Sequence, residues 1–517
     1  MSRSPSLASK DEEIPATNNS ARLSSLSSGR KSFLLAVFCS AQFLDTFNNA
    51  ALFAAIPPIS AIIHVSNANS VWLLSAYQLT FAAFLLTSGR LTDIYNGNYV
   101  FVAGALVMGF SALGAGFVRT QIPLIVLRAI MGIGAALNVP SALQLIVGMY
   151  PDPTEQSKAV GIFVSVAGIG NVLGLFISAI FVTFATWPWV FYFIAIAAII
   201  TGFLGLLLIP KVPLPEEHKG NRIKRLDLPG VSVLTIAVIL FVFAVTSGSI
   251  DGWGSATVIA NLVISIVLTI AFFIWEAYIP EEVAALPPKV WRYENFGIIV
   301  ATALLPYVWW GAVMALFSWL WQEVYGWTAL ITAVHFLPIS LTGVPVIILS
   351  DVLQKKFPLK WVTLAGMIIT VAGTVLLPFA DAKDKYWRFA FPALLIGTAG
   401  VSMIFSTSNI SVFKVTPPSI AGTVGAIFNC VLNLGCAAGL AIITSIQTSV
   451  QIHHGGPNGY QGRAAGFWFL FAFVVTLTLA VAVFMKNTIP PVKVDPNATT
   501  PEEEAAVLEI KEDPQEV

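Results

Sequence analysis

The sequence predicts an all-α integral membrane protein of fourteen transmembrane helices, arranged as two six-helix halves with an inserted central helix pair. Three observations carry that expectation. Of the 517 residues, 56% are hydrophobic and 10% charged, whereas a water-facing surface usually requires about 25% charged residues. The apolar residues gather in fourteen stretches of the roughly 20 residues that a helix needs to cross a bilayer core. These stretches are unbroken and do not alternate every second residue, so they read as helices and not as barrel strands.

The same composition excludes several functions. Lys and Arg number 27 against 27 Asp and Glu, so there is no basic surplus for a nucleic acid. Cys39, Cys430 and Cys436 are too few for a disulfide framework, and all lie in apolar stretches, where a small residue suits a membrane helix. No cluster of His, Cys, Asp and Glu has metal-ligand spacing, and no GxxxxGK[ST] or nucleophile elbow occurs. Neither a metal, a cofactor nor an enzyme is expected. The run GIGNVLG from Gly168 to Gly174 lies inside an apolar span with no strand before it, so it is not a dinucleotide fingerprint.

Taken in order, residues 1–32 are polar and rich in Ser, a disordered tail before the first span. Six spans follow at 34–58, 71–89, 99–118, 122–147, 159–184 and 189–209, forming an N-terminal bundle over 33–210. The most polar internal segment, KVPLPEEHKGNRIKRLDLPG, supplies a cytosolic loop over 211–228. Two linker spans, 229–247 and 256–278, occupy 229–279. A C-terminal bundle over 280–487 holds spans at 296–320, 329–350, 360–380, 388–412, 421–446 and 466–486, and an acidic tail covers 488–517. Six, two and six is the division expected of a transporter assembled from repeats and working by rocking. A trace of the repeat survives in SGRLTDIYNGNY after span two and LSDVLQKKF after span ten.

With an even span count both termini share a side. Sixteen Lys and Arg fall in loops on that side and five on the other, counted between Arg30 and Lys486, which places both termini in the cytosol. Prolines interrupt the spans at Pro57, Pro58, Pro140, Pro306, Pro338, Pro345 and Pro392, sites for kinks.

Polar groups inside the bilayer are costly and therefore point to function. Asp45 sits near the middle of span one, with Asn49 one turn away on the same face. A carboxylate in a water-lined cavity can exchange protons near neutral pH, as a proton-coupled carrier requires. Arg128 in span four is the one clear cation inside a span and must be paired, hydrated or bonded to carbonyls; Asp45 is a candidate partner. Asn49, Gln78, Asn171, Asn429 and Asn433 are candidates for lining a substrate cavity, with helix-to-helix bonding as the alternative for each. His335 reads as a core position. The tryptophans from Trp309 to Trp327 read mainly as interfacial anchors. Gly170/Gly174 and Gly435/Gly439 have the GxxxG spacing of closely approaching helices.

These residues resemble the major facilitator superfamily, in particular its fungal fourteen-span drug:proton antiporter-2 group, over roughly 33–488. Gly89-Arg90-Leu91-Thr92-Asp93, followed by Gly97, is similar to the superfamily's loop motif after span two, although Asn98 and Tyr99 stand where two basic residues are usual. LRAIMGIGAALNVPSAL resembles the family's span-four motif, which links Arg128 to proton transfer, with Met131 in place of a Gln. LDTFNNAALFAAIPP resembles the span-one region and carries over Asp45, Thr46 and Asn49; Trp72, Tyr77, Asp227 and Gly230 fit the same group. Span five departs from it, with Gly174-Leu175-Phe176-Ile177 where an antiporter motif would have Gly-Pro.

The resemblance implies proton-coupled export of small organic molecules, such as drugs or secondary metabolites. Asp45 and Arg128 would serve coupling, and Gly89, Arg90, Asp93 and Gly97 a conformational latch. The alternatives are uptake or facilitated transport of a small solute such as ammonium and, more remotely, a non-transporting receptor or scaffold. The expected partners are the substrate, protons and lipid. A monomer in the plasma membrane is expected, with the vacuolar membrane as the alternative location.

Overall fold

The computed structural model describes residues 23–210, 227–280, 284, 286, 288–416 and 421–487. Most of both expected tails and most of the 211–228 loop fall outside these residues. The described chain is helical: α1 Ser28–Ile63, α2 Asn67–Tyr95, α3 Gly97–Phe117, α4 Gln121–Met149, α5 Pro153–Phe184, α6 Pro188–Leu208, α7 Leu228–Asp251, α8 Ala256–Tyr278, α9 Phe296–Trp319, α10 Ala329–His335, α11 Leu337–Gln354, α12 Leu359–Thr374, α13 Phe391–Lys414, α14 Ala421–His453 and α15 Gln461–Phe484. Counting α10 with α11, thirteen helical stretches among the described residues are long and apolar enough to cross a membrane. The long helix outside that number, α2, has 29 residues and stands where the second span was expected.

Local chemistry explains several helix ends. Asp152 Oδ1 accepts the N–H groups of Thr154 and Glu155, each at 2.9 Å, ahead of Pro153 at the start of α5. Asp227 Oδ1 accepts from Gly230 N at 3.0 Å to cap α7 and from Trp275 Nε1 of α8 at 2.8 Å, tying the inserted pair together. The tenth span differs from expectation: it breaks at Phe336 into α10 and α11, because Pro338 has no N–H with which to continue the ladder. α1 begins at Ser28, inside the expected tail.

The internal repeat is visible in the packing. In the first half α1 packs on α5, α2 on α4, and α3 on α4 and α6. In the second half α9 packs on α14, α11 on α13, and α12 on α13 and α15. Small residues make corresponding contacts in both. A Cβ on Gly170 would fall 2.7 Å from Phe43 O, and one on Gly174 2.7 Å from Phe47 O, both on α1; on the matching pair, a Cβ on Gly435 would fall 2.8 Å from Leu304 O of α9. Likewise Gly104 and Gly134 press α3 on α4, and Gly366 and Gly400 press α12 on α13. Backbones this close gain dispersion contacts that lipid tails cannot match.

The halves meet through α2 on α14 and α5 on α10, and α7 of the inserted pair packs on both α2 and α14. Where α9 ends, Gln322 Nε2 donates to Ala54 O of α1 at 3.4 Å. This closure lies at the end of the bundle away from Ser28 and Phe484. Gly161, Ile162, Ser165 and Gly168 of α5 and Leu341, Val344 and Ile348 of α11 are exposed.

The tryptophans correct the sequence reading. Trp309, Trp319 and Trp321 are fully buried and not interfacial. Trp309 Nε1 donates to Thr374 Oγ1 at 2.8 Å, and Trp321 stacks on Phe317 at 4.8 Å. A span that is apolar on every side does not reveal which face meets lipid, so an aromatic core looks like an aromatic belt in sequence.

Candidate functional site

Asp45 lies at mid-length of α1 and is 7% exposed; Asn48 and Tyr77 are fully buried beside it, as is Arg128 from α4. The close approach of α2 and α4 at Gly132, where a Cβ would sit 2.3 Å from Tyr77 O, brings these helices together at this level.

Asp45 and Arg128 come into one cluster without touching. The Tyr77 hydroxyl donates to Asp45 Oδ1, and the Tyr77 ring lies 4.6 Å from the Arg128 guanidinium carbon, within the range of a cation–π contact. Arg128 Nη1 donates to Asn48 Oδ1 at 2.5 Å and Nε to Leu73 O at 2.8 Å, while Nη2 has no partner. The guanidinium is thus held by neutral acceptors and a ring face, and Tyr77 stands between the two charges. A carboxylate and a guanidinium interact strongly in a medium of low dielectric even without contact. Placed this way, Asp45 can take up or release a proton without breaking an ion pair.

Asn49 is peripheral to this cluster: its Nδ2 donates to Asp45 O of its own helix at 3.4 Å and its Oδ1 has no partner. Sequence reasoning singled out Asn49 and passed over Asn48, since one turn of helix defines a face but cannot say which of two adjacent amides points to α4. Gln78 is buried on the other side of α2, beside the Cys436 thiol of α14, and its Oε1 has no hydrogen-bond partner.

Across the interior, α9 and α13 present an aromatic patch. Tyr307 stacks on Phe405 at 6.2 Å, with Trp310 also 6.2 Å from Phe405, and Phe428 of α14 lies tilted to Phe405 at 6.3 Å. Tyr307, Trp310 and Phe405 are half-buried, and Trp310 Nε1 has no partner. These ring faces are a set that can hold a flat molecule.

The remaining candidates are more dispersed. Asn429 and Asn433 donate to Gly425 O and Asn429 O of their own helix, at 3.0 and 2.9 Å. Asn171 is exposed on α5. In the loop motif, Gly97 opens α3 where a Cβ would fall 2.7 Å from Gln144 Oε1 of α4, whereas Gly89 has open space around it; the side chains of Arg90 and Asp93 lie outside the described residues. In the repeat, Asp351 accepts a hydrogen bond from Ser406 Oγ of α13 at 2.7 Å. His335 ends α10 with its ring between Trp327, at 4.2 Å, and Tyr386, at 4.4 Å. Arg463, expected in an outer loop, is 1% exposed on α15 and donates to Pro457 O and Gly459 O at 3.1 and 2.9 Å.

Comparison with known proteins agrees with this architecture. The puromycin resistance protein pur8 of Streptomyces alboniger is 26% identical over 461 residues, covering 88% of this chain and 89% of its own length. A low affinity ammonium transporter of Saccharomyces cerevisiae is 26% identical over 471 residues, covering 88% and 90%. Among solved structures, a D-xylose–proton symporter superposes with a TM-score of 0.61 at 14% identity, over 88% of this chain and 98% of that one. The sequence profile of the Major Facilitator Superfamily matches residues 38–440, and the chain belongs to that family of membrane transporters.

Proposed function

We propose that the protein is a proton-coupled exporter of small organic molecules that works by alternating access. The observation that carries this reading is the placement of Asp45, a buried carboxylate at mid-length of α1 whose recorded side-chain partner is a neutral phenol. A group so placed changes charge when the cavity faces a more acidic compartment. Arg128 keeps the site near neutrality in the charged form, and Tyr307, Trp310 and Phe405 offer faces to a planar substrate.

In this reading the termini are cytosolic and the membrane is the plasma membrane. The chain acts as a monomer. Residues 33–210 and 280–487 rock about the Asp45 site, with 229–279 as the inserted pair. The proton enters from outside, neutralises Asp45, and leaves to the cytosol as the cycle resets.

The test is accumulation of a panel of labelled drugs in efflux-deficient cells expressing wild type or Asp45→Asn, with and without a protonophore. Reduced accumulation that needs both the carboxylate and the gradient is the expected result. Normal uphill export by Asp45→Asn would overturn it.

A second reading, uptake of a small solute such as ammonium, is favoured by two observations. Span five runs Gly174-Leu175-Phe176-Ile177 in place of a Gly-Pro turn, and the Saccharomyces cerevisiae relative is an ammonium transporter. Raised accumulation of labelled methylammonium, indifferent to Asp45→Asn, would select it.

A further inference from the structure

The helix that touches Asp45 also touches the opposite half. α2 packs on α4 within its own half and on α14 across the interface. Its consecutive residues Tyr77 and Gln78, about 100° apart around the helix, face these two neighbours. Tyr77 donates to Asp45 and lies under Arg128; Gln78 faces Cys436 on α14. The back of the same turn is clamped, since Gly132 of α4 presses on Tyr77 O and Thr80 Oγ1 donates to Ala129 O of α4 at 2.7 Å. A close-packed contact of this kind has discrete arrangements and does not absorb movement by deforming.

We propose that Tyr77 is a positioning residue that passes the charge state of Asp45 along α2, through Gln78, to the α2–α14 interface, so that proton uptake biases the rocking of the halves. The inference rests on the proton-coupled reading above. With Asp45 charged, the phenol makes a charge-assisted hydrogen bond that fixes its ring beneath the guanidinium. With Asp45 neutral, that bond weakens to roughly half its strength, which shifts the balance between the discrete arrangements that the close-packed α2 turn can take against α4 and α14. The titratable groups facing this point are Arg128 on α4, Tyr307 on α9 and Cys436 on α14. α5 and α6 present Gly170, Gly174 and Phe193 to α1. His335 of α10 is enclosed at the outer end by Trp327 and Tyr386.

The test needs no substrate. Spin labels on Ile162→Cys of α5 and Ile348→Cys of α11, both exposed and both away from the α5–α10 contact, report the separation of the halves in lipid nanodiscs between about pH 5 and pH 8. The three native cysteines are buried. The expected result is a pH-dependent distance shift in wild type that is lost in Asp45→Asn and equally lost in Tyr77→Phe, although Tyr77→Phe keeps the ring under Arg128 and its Asp45 still titrates by its infrared carbonyl band. Gln78→Leu, which leaves the Asp45 cluster untouched, is expected to lose the shift as well and serves as the second variant if Tyr77→Phe does not fold. A wild-type-like shift in either variant overturns the proposal while leaving proton coupling intact. Absence of any pH dependence in wild type overturns both.

Discussion

The two six-helix halves share one packing plan and divide the chemistry between them. Each uses the same helix pairs, and in both the first and fifth helices are drawn together by a GxxxG stripe, Gly170/Gly174 against α1 and Gly435/Gly439 against α9. On that plan the first half buries a carboxylate, a guanidinium, a phenol and an amide at mid-height, while the second offers stacked rings and amides satisfied by their own helix. In a repeat protein the scaffold must be kept in both copies, but the site lies between them, so each copy is free to specialise. The lesson is that packing and function can be read on different residues here, glycines for one and buried polar groups for the other.

The largest effect tests the asymmetry of buried charge. Each half holds one deeply buried arginine, Arg128 and Arg463. Arg128→Met leaves Asn48 Oδ1 without its donor and Asp45 without a nearby cation, so it is expected to cost about 3–5 kcal/mol and to abolish uphill transport. Arg463→Met removes two hydrogen bonds to backbone carbonyls of the turn before α15 and should cost about 1–3 kcal/mol with proton coupling retained. Thermal unfolding in detergent and flux with and without a protonophore separate the two. Equal loss of coupling in both variants would break the division of labour.

The next effect compares the two helix seams. At Gly132 an added Cβ meets Tyr77 O and Thr80 Oγ1, each at 2.3 Å, and a backbone carbonyl in a helix cannot step aside. At Gly439 it meets the Cγ atoms of Val308, at 2.7 and 2.8 Å, which a rotamer change can relieve. Gly132→Ala is expected to destabilise by about 2–3 kcal/mol and Gly439→Ala by about 1 kcal/mol, the two ends of the usual overpacking range. Melting temperatures of the purified variants check the order.

These variants also mark how far the sequence could be read. The spans, the two halves and the inserted pair were legible because a bilayer imposes length and hydropathy on every crossing segment. Asp45 and Arg128 were legible because charge is rare in spans. Tyr77 carried a signal only through its similarity to the family's span two, and Asn48 none beyond its place beside Asn49, since neutral polar residues are common in membrane helices and contact across helices leaves no period in one sequence. The burial of Trp309, Trp319 and Trp321 was hidden for a related reason: in lipid the core is no more apolar than the surface. The break at Phe336 could have been anticipated from Pro338, which sequence analysis had marked as a kink.

A smaller, selective effect is expected from the aromatic patch. Tyr307→Leu and Phe405→Leu each remove one ring on which a planar substrate would stack, a contact worth about 0.5–1.5 kcal/mol. That corresponds to roughly a two- to tenfold rise in KM for planar substrates. The protonophore sensitivity of the residual flux should be unchanged, because neither side chain holds Asp45 or Arg128. Loss of coupling in Tyr307→Leu would move this tyrosine from the substrate face into the proton site and blur the line between the halves.

The smallest effect concerns Asn433, and it sharpens the comparison most economically. Asn433 and Asn48 are both buried amides in the interior of a membrane helix, and the sequence reading favours Asn433 for the cavity and is silent on Asn48. Asn48 receives the Arg128 guanidinium across a helix interface, whereas Asn433 Nδ2 closes on Asn429 O of its own helix at 2.9 Å. A bond within one helix satisfies the amide in every conformation of the transporter, so it carries no information about the state of the cycle. Asn433→Ala is therefore expected to cost at most about 0.6 kcal/mol and to leave flux and its pH profile as in wild type. Asn48→Ala frees a second guanidinium nitrogen beside the already unpartnered Nη2 and should depress uphill transport well beyond its effect on thermal stability. If Asn433→Ala instead impairs transport at unchanged stability, Asn433 turns outward in another conformation to bind substrate, and the second half contributes amides as well as rings to the cavity.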